Sequence, residues 1–244
     1  MKKGFVQNSN YARFVQAVKA VEQRGAREAS LMLVTGPAGL GKSETVDRFA
    51  VDTNAVYLRA KETWTKRGLL VEMAETLRIQ TNTTNHDMQA RIIGAVGARQ
   101  TPIIIDEAEF TVRSSASILE CVRDISDLTE TLVVLVGMET IESRIARYPQ
   151  ISSRIAQVVH FQPLTEQDVQ LACKQLAEVD IGAELVRELH RQSEGKMRLV
   201  MNGIATIERV AKSNSLVKAT AEAFKGIELC IEWNARRPRA GGAR

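Results

Sequence analysis

Apolar residues along the chain follow two patterns, one of short continuous runs and one with a spacing of three or four. Short runs bounded by polar or glycine residues are typical of strands buried on both faces of a parallel sheet. The sequence predicts five such strands, at residues 31–34, 55–58, 102–106, 131–137 and 157–161. The helical spacing predicts helices at 10–24, 42–51, 66–79, from about 85 to 99, at 115–128, and a short helix that ends near Arg147. Strands that alternate with helices predict an α/β fold with a parallel five-stranded sheet covered by helices.

The pattern changes after Pro163, because the residues that follow show only helical spacing. Helices are predicted at 165–178, 183–193, 197–213 and 216–225, which together form a small all-helical lid. We therefore expect an α/β domain over 1–163 that includes the helix 10–24, a lid over 164–228 and a basic tail over 229–244.

The positive charge of the chain comes from its end. The protein has 33 basic and 29 acidic residues, and residues 236–244 contain four arginines and no acid, so the rest carries 29 of each sign. Such a tail is typical either of a contact with nucleic acid or another partner, or of a solubilising end, and both interpretations stay open.

Neither a membrane span nor a secreted, disulfide-linked fold is indicated. No apolar run reaches the roughly 18 residues of a spanning helix, and no apolar segment follows the basic start of the chain. We expect a cytoplasmic protein without membrane contact. Cys121, Cys173 and Cys230 are far apart and predict buried reduced thiols rather than disulfides or a zinc site.

One segment between the first predicted strand and the helix after it matches the phosphate-binding pattern G-x-x-x-x-G-K-[ST]. It consists of Gly36, Pro37, Ala38, Gly39, Leu40, Gly41, Lys42 and Ser43. Glycines let backbone N–H groups converge on a phosphate, and the helix N-terminus adds its positive dipole end. Lys42 is expected to reach the β- and γ-phosphates of ATP, and the Ser43 hydroxyl to bind Mg²⁺.

Two acids, Asp106 and Glu107, end the third predicted strand, where the ligand crevice of an α/β sheet lies. Asp106 is placed to hold the Mg²⁺ shell, and Glu107 to act as general base on an attacking water. This pair favours hydrolysis over a small-molecule kinase, whose substrate supplies its own nucleophile. The alternative is an acid pair that only stabilises a following helix N-terminus.

These motifs, with 33–43, 104–109 and 135–139 as the most telling stretches, resemble the AAA+ ATPases and within them the phage Mu B transposition protein family. The resemblance implies ATP and Mg²⁺ as cofactors and a homo-oligomer, a helical filament or ring, on double-stranded DNA that activates a transposase. It also implies that Arg198, in the G-x-x-R motif of the lid, senses the γ-phosphate. Arg154, or as second candidate Arg147, would reach the ATP of a neighbouring subunit. The alternative for Arg154 is a salt bridge within its own chain.

The chain departs from the AAA+ pattern at the end of the fourth strand. Many members carry a polar residue there, often Asn, that positions the lytic water, whereas residues 137–139 read Gly-Met-Glu. Glu139 could substitute and Met138 could not. We therefore expect slow hydrolysis unless DNA or a partner stimulates it.

The loop after the second strand, residues 59–67, combines cations, threonines and an indole. Such side chains contact phosphate oxygens of DNA without reading its bases. The predicted DNA-binding residues are Lys61, Thr63, Trp64, Lys66, Arg67 and Arg113. The alternatives are a solvated charged loop and, for Trp64, a packed indole. Other functions left open are a helicase loader, a small-molecule kinase and an interaction protein without useful turnover.

Overall fold

The computed structural model describes residues 1–113 and 115–231. Most of the predicted basic tail, including its arginines, lies outside these residues. The described chain forms two compact units. One unit, here called the α/β unit, contains residues 11–38 and 42–161. The other, the lid unit, contains residues 1–10, 39–41 and the described residues from Gln162 onward.

Five parallel strands form the sheet of the α/β unit, in the order β2-β3-β4-β1-β5. The strands are β1 (Leu31–Thr35), β2 (Val56–Arg59), β3 (Ile103–Asp106), β4 (Val133–Val136) and β5 (Ile155–His160). Every residue of β1, β3 and β4 is buried, as expected for strands covered by helices on both faces. The parallel, helix-covered sheet predicted from the sequence is confirmed.

Helices connect the strands, and side-chain caps fix where two of them begin. The helices are α1 (Ser9–Glu22), α2 (Lys42–Thr53), α3 (Lys66–Thr76), α4 (Asn85–Arg99), α5 (Ser117–Thr129), α6 (Thr140–Ile145) and α7 (Pro149–Ser152), with a 3-10 helix at Ala108–Val112. Thr65 caps α3 by accepting the N–H of Gly68, and Thr84 caps α4 by accepting that of Asp87. These hydroxyls satisfy N–H groups that lack a partner in the first helical turn.

Three of the predicted lid helices form, and the fourth does not. They are α8 (Glu166–Leu176), α9 (Ala183–Ser193) and α10 (Met197–Ser213). The prediction of a helix over 216–225 was wrong, because β7 (Lys218–Ala219) pairs there with β6 (Asp180–Ile181) and turns follow it. Phe224 and Leu216 still pack in the lid core, so their spacing imitates a helix although the backbone there forms a short strand followed by turns.

The described helices are amphipathic rather than uniformly apolar. The longest, α10, has 17 residues and buries one face in the lid core. Among the described helices, none combines the length and the apolar composition that crossing a bilayer requires.

The three cysteines are buried free thiols, as the sequence predicted. Burial raises the pKa of Cys121 to about 11 and that of Cys173 to about 12. Protonated thiols at these positions behave as small apolar core groups.

A buried carboxylate, Asp168, connects the start of α8 to Ser9, the first residue of α1, within the lid unit. Its oxygens accept hydrogen bonds from the backbone N–H and the hydroxyl of Ser9, both at 2.8 Å, and from the N–H and hydroxyl of Thr165, at 3.0 and 2.8 Å. Burial alone would raise the pKa of Asp168, but these hydrogen bonds outweigh it and hold the pKa below its usual value.

We expect Asp168→Asn to lower the free energy of unfolding at pH 7 by about 1–3 kcal/mol, because an amide cannot accept all four bonds. A depressed pKa in the folded state contributes stability above the unfolded pKa of about 3.9 and loses it as the pH falls further. The difference between the variant and the wild type should therefore shrink below about pH 4, as measured by urea unfolding. Glu166→Gln, an exposed change on the same helix, should stay within about 0.5 kcal/mol of the wild type. An equal effect of both substitutions at pH 7 would contradict this role of Asp168.

Candidate functional site

The phosphate loop begins at a position that only glycine can occupy. Gly36 follows β1 with a φ of 143°, and a Cβ there would lie 2.8 Å from the carbonyl oxygen of Phe161. That oxygen belongs to the backbone and cannot rotate away. The loop therefore leaves the sheet with a backbone conformation that a side chain would prevent.

Within the α/β unit, Lys42 folds back over the start of the loop. Its Nζ donates to the carbonyl oxygens of Gly36 and Pro37 at 2.5 and 2.7 Å. Ser43 is exposed in the first turn of α2, where the helix dipole favours negative charge. A cation, a hydroxyl and a helix N-terminus thus converge at the end of β1, which is the arrangement that binds phosphate groups.

The middle of the loop packs in the lid unit beside Arg198. Gly39 and Gly41 have φ values of 86° and 87°, which favour glycine. The Arg198 N–H donates to the Gly39 carbonyl oxygen at 3.0 Å, and Met197 lies against Gly41. Arg198 is an exposed residue, and its backbone is hydrogen-bonded to the loop.

Asp106 ends β3 as a buried, oriented carboxylate. Its Oδ2 accepts a hydrogen bond from the Tyr57 hydroxyl at 3.0 Å, and its Oδ1 accepts one from the Glu107 N–H at 2.9 Å. Burial and the charge of Asp106 raise the pKa of Tyr57, so the phenol keeps its proton and donates. Each carboxylate oxygen retains a further acceptor site. No motif in the sequence marks Tyr57 as a residue of the site.

Glu107 adopts a backbone conformation that is uncommon for a residue with a side chain. Its φ and ψ are 53° and 38°, at the junction of β3 and the 3-10 helix. Left-handed backbone of this kind costs roughly 1–2 kcal/mol outside glycine and is concentrated at functional sites. The Glu107 Oε1 pairs with Arg59 Nη2 at 2.8 Å, and the Glu107 charge raises the pKa of Arg59. Arg59 ends β2, so the candidate base is connected to the start of the loop 59–67.

A further hydrogen-bonded cluster fixes the end of β1 just before the phosphate loop. The Thr35 hydroxyl donates to Glu142 Oε1 at 2.7 Å and lies 3.1 Å from Nδ1 of His160. Thr35 is fully buried, whereas Glu142 and His160 are partly exposed. The cluster joins β1, β5 and α6, so it limits how far the first loop residue can move.

The end of β4 presents a glycine flanked by an exposed pair. Gly137 is buried, while Met138 and Glu139 are exposed. A Cβ on Gly137 would lie 2.8 Å from Oε2 of Glu109, a residue of the 3-10 helix that follows the acidic pair. That oxygen is buried and accepts no hydrogen bond from the described residues.

The two arginines considered for a trans contact differ in their surroundings. Arg154 pairs with Asp127, with Nε–Oδ1 and Nη2–Oδ2 distances of 3.1 and 3.3 Å. This is the intramolecular salt bridge that the sequence left as an alternative. Arg147 is exposed, and no described residue pairs with its side chain.

The structure distributes the predicted DNA-binding residues over two environments. Trp64 packs in the core with its ring N–H donating to Glu72 at 2.9 Å, which favours the packed alternative. Lys61 pairs with Glu72, and Arg113 pairs with Glu62. Arg67 donates to the side-chain oxygen of Asn85 at 2.9 Å.

Two residues of the loop 59–67 keep open polar groups. Thr63 and Lys66 are exposed, and no partner for either side chain lies among the described residues. Among the described residues, the loop therefore has two cations without a carboxylate partner, Lys66 and Arg67, and two that are paired to carboxylates, Arg59 and Lys61. A polyanion that binds here must replace those pairs.

Comparison with known proteins agrees with the geometry of the loop and the acidic pair. A family model described as an AAA domain matches residues 24–145, half of the chain. A "potential ATP-binding protein" of Staphylococcus aureus is 28% identical over 130 residues, which cover 49% of this chain and 46% of that protein. The chain therefore spans about half the length of this curated relative.

Solved structures of archaeal proteins share the fold. The ORC2 protein of Aeropyrum pernix, solved with ADPNP and ADP, matches 90% of this chain and 71% of that chain, with a TM-score of 0.66 and 14% identity. The match to CDC6P of Pyrobaculum aerophilum covers 91% of this chain and 68% of that chain, with a TM-score of 0.63 and 14% identity. The match to the ORC1 protein of A. pernix, solved with DNA, covers 91% of this chain and 64% of that chain, with a TM-score of 0.59 and 14% identity.

At identities this low, the structural matches demonstrate a common fold only. The function has to be argued from the site of this chain. The family model, by contrast, spans the phosphate loop, the acidic pair and the end of β4. The chain belongs to the AAA family of ATPase domains.

Proposed function

We propose that the protein is an ATP-driven switch that hydrolyses ATP and assembles on double-stranded DNA. The observation that carries the proposal is the ion pair between Glu107 and Arg59 at 2.8 Å. It connects the residue suited to activate water with the first residue of the loop suited to contact DNA phosphates. One chain of contacts can thus report DNA binding to the hydrolytic site.

In the proposed hydrolysis of ATP, the residues at the strand ends have separate roles. The loop N–H groups and Lys42 bind the phosphates. Glu107 accepts a proton from a water whose oxygen bonds to the γ-phosphorus. The bond from that phosphorus to the β–γ bridging oxygen breaks, and its electron pair leaves with ADP. Arg198 is proposed, from the resemblance to the AAA+ ATPases, to sense the γ-phosphate.

Mg²⁺ is the cofactor that the donor set fits. The exposed Ser43 hydroxyl and the free acceptor capacity of Asp106 are hard oxygen ligands, which Mg²⁺ prefers. Bound there, the ion would neutralise phosphate charge. Tyr57 and the Glu107 N–H hold the Asp106 carboxylate in place, so this ligand would be oriented before the ion binds.

Oligomerisation is proposed to involve the arginines of the segment 147–154. An arginine offered to the ATP of a neighbouring subunit stabilises γ-phosphate charge only in the assembled state. Arg154 would first have to leave Asp127, a partly buried pair, whereas Arg147 is already exposed. We propose that Arg154 or Arg147 acts in trans, with the Asp127 pair making Arg154 the more regulated of the two.

Binding of DNA is proposed for the loop 59–67 and Arg113. Thr63 and Lys66 are exposed, and Lys61, Arg67 and Arg113 can exchange their present partners for phosphates. Contacts of this kind are insensitive to base sequence and weaken steeply with salt.

The two candidate functions of the switch differ in the partner on which it acts. The resemblance to the Mu B family favours a protein that activates a phage transposase on target DNA. The structural likeness to ORC1, solved with DNA, and to CDC6P favours a helicase-loader role in replication as the second candidate. Gel-shift titration with duplex and single-stranded DNA in ATP separates them. Preference for duplex supports the transposition role, and preference for single strands supports the loader.

We expect Lys42→Ala to abolish ATP-dependent assembly, because the phosphates lose their cation. Glu107→Gln should assemble on duplex DNA and persist, since it binds ATP but lacks the base. Negative-stain electron microscopy with duplex DNA, comparing ATP with ADP, measures both. Wild-type protein that forms no ATP-dependent complexes on duplex DNA would contradict the proposed function.

The Arg59–Glu107 pair leads to a second expectation. Arg59→Ala should raise DNA-independent ATP hydrolysis several-fold, because the base loses its competing partner, and should reduce the stimulation by DNA. Phosphate release with and without duplex DNA checks this. The matched control is Arg48→Ala, which removes another exposed arginine–carboxylate pair, with Asp52. Unchanged stimulation in Arg59→Ala would exclude the coupling.

Mixing experiments identify the arginine that acts in trans. A trans arginine is worth roughly 10³–10⁵ in turnover where it has been measured. Wild-type subunits doped with Glu107→Gln subunits, which are expected to bind ATP and assemble, should hydrolyse ATP, and the rate should fall steeply if the doping subunits also carry Arg154→Ala or Arg147→Ala. The substitution that causes no further loss is excluded as the trans residue. If neither causes a loss, the trans contact itself is refuted.

A further inference from the structure

Asp127, on α5, is the carboxylate that holds Arg154 within its own chain. Its Oδ1 accepts a hydrogen bond from Arg154 Nε at 3.1 Å, and its Oδ2 accepts one from Nη2 at 3.3 Å. The side chains of Arg154 and Asp127 are 30% and 27% exposed, so water screens the pair only in part. Removal of the arginine alone would leave a partly buried charge without a partner, which is costly.

The backbone of Arg154 limits what can move when the arginine leaves this pair. Its carbonyl oxygen accepts a hydrogen bond from the N–H of Leu31 at 3.0 Å, so the residue is fixed to the start of β1. A contact of Arg154 with the ATP of another subunit therefore requires that the guanidinium leaves Asp127 while the backbone stays in place. The carboxylate that remains behind then needs another cation.

A second arginine, Arg123, lies one helical turn before Asp127 on α5. Its Nε is 3.9 Å from the Asp127 Oδ2, which is too long for a hydrogen bond. That Nε is buried, and no described residue accepts a hydrogen bond from it. The far end of the guanidinium is anchored, because Nη2 donates to Asp124. Since N–H···O bonds are about 2.9 Å long, the unused Nε would have to approach Asp127 by only about 1 Å to donate to it.

The unused donor of Arg123 is explained if Asp127 changes its partner. Buried donors on charged groups normally have acceptors, because an unmade hydrogen bond of this kind costs free energy. Given the proposed action of Arg154 in trans, we propose that Arg123 is a positioning residue that replaces Arg154 at Asp127 when Arg154 turns to the ATP of a neighbouring subunit. Asp127 is then paired with a cation in both states. Release of Arg154 costs less free energy than it would if the carboxylate were left alone.

Urea unfolding without ATP measures whether Arg123 can replace Arg154. A double-mutant cycle of Arg123→Met and Asp127→Asn gives the coupling between these two residues. With Arg154 present, we expect a coupling of about twofold in the unfolding equilibrium constant, as for other ion pairs one helical turn apart. In an Arg154→Met background it should rise to about tenfold, because a charge-assisted hydrogen bond forms. Equal coupling in both backgrounds overturns the proposal. If Arg123→Met does not fold, Arg123→Ala decides by the same criteria.

Mixed assemblies on duplex DNA measure the effect on the neighbouring site. A large excess of Glu107→Gln subunits, which are expected to bind ATP without hydrolysing it, serves as arginine donors to wild-type subunits. Donors that also carry Arg123→Met should lower phosphate release about tenfold, because their Arg154 stays with its carboxylate. Arg123→Lys keeps the charge and should stay within about threefold of the unmodified donors.

Two further donors control for other effects of the substitution. Donors with both Arg123→Met and Asp127→Asn should restore phosphate release, since Arg154 no longer has a charged partner to leave. Arg48→Met removes the cation of another ion pair one helical turn apart and is the matched control. It should leave phosphate release within about twofold of the unmodified donors.

The reverse mixture separates positioning in trans from a structural role. Arg123→Met in the hydrolysing subunits, with donors that are unchanged at position 123, should leave phosphate release within about twofold of the wild type. A loss in both mixtures assigns Arg123 a structural role and overturns the proposal.

The donor mixtures also distinguish a failure of this proposal from a failure of the proposed function. A loss with Arg154→Ala donors but none with Arg123→Met donors refutes the role of Arg123 alone. If Arg154→Ala donors support the same phosphate release as unmodified donors, Arg154 does not act in trans. That result refutes the proposed trans contact of Arg154 and the role of Arg123 with it.

Discussion

Parallel pairing that places β4 between β1 and β3 is the constraint on which the candidate site depends. Because all five strands run in one direction, their carboxyl ends meet at one edge of the sheet. The phosphate loop leaves that edge after β1, the acidic pair after β3 and Gly137 after β4. None of these segments could cooperate if the apolar strands paired in another order. The buried Val, Ile and Leu residues of the strands therefore position the chemistry as much as they stabilise the core.

Several cations at the surface around this edge form ion pairs with carboxylates. Arg59, Lys61 and Arg113 are each held by a carboxylate, and Arg154 by Asp127. Exposed pairs of this kind contribute little to stability and exchange partners readily. The exposed pairs of Arg59, Lys61 and Arg113 suit a protein whose cations meet phosphates in one state and carboxylates in another. The pair of Arg154 with Asp127 is partly buried and lies at the opposite edge of the sheet, where β1 and β5 begin. Glu107, with its left-handed backbone, is the carboxylate through which such an exchange would reach ATP.

Motifs and periodicity were sufficient to predict the α/β sheet, the phosphate loop and three of the four lid helices. They failed where long-range contacts decide the outcome. Residues 216–225 have a helical apolar spacing, but the backbone of Lys218–Ala219 finds β6 instead. Arg59 is 48 residues from Glu107 in the chain, and no local pattern reveals their pair. The close approach of Glu109 to Gly137 is equally invisible, because an orphan carboxylate oxygen is a property of packing and not of a motif.

Above all, we propose that duplex DNA and ATP hydrolysis are coupled in this chain. The most direct measurement is phosphate release by the wild-type protein in ATP and Mg²⁺ as duplex DNA is titrated, at low and at high salt. If the two are coupled, release is slow without DNA, is stimulated saturably by duplex at low salt, and loses that stimulation as salt displaces the phosphate contacts. Release that is absent throughout, or that stays independent of DNA at low salt, would contradict it.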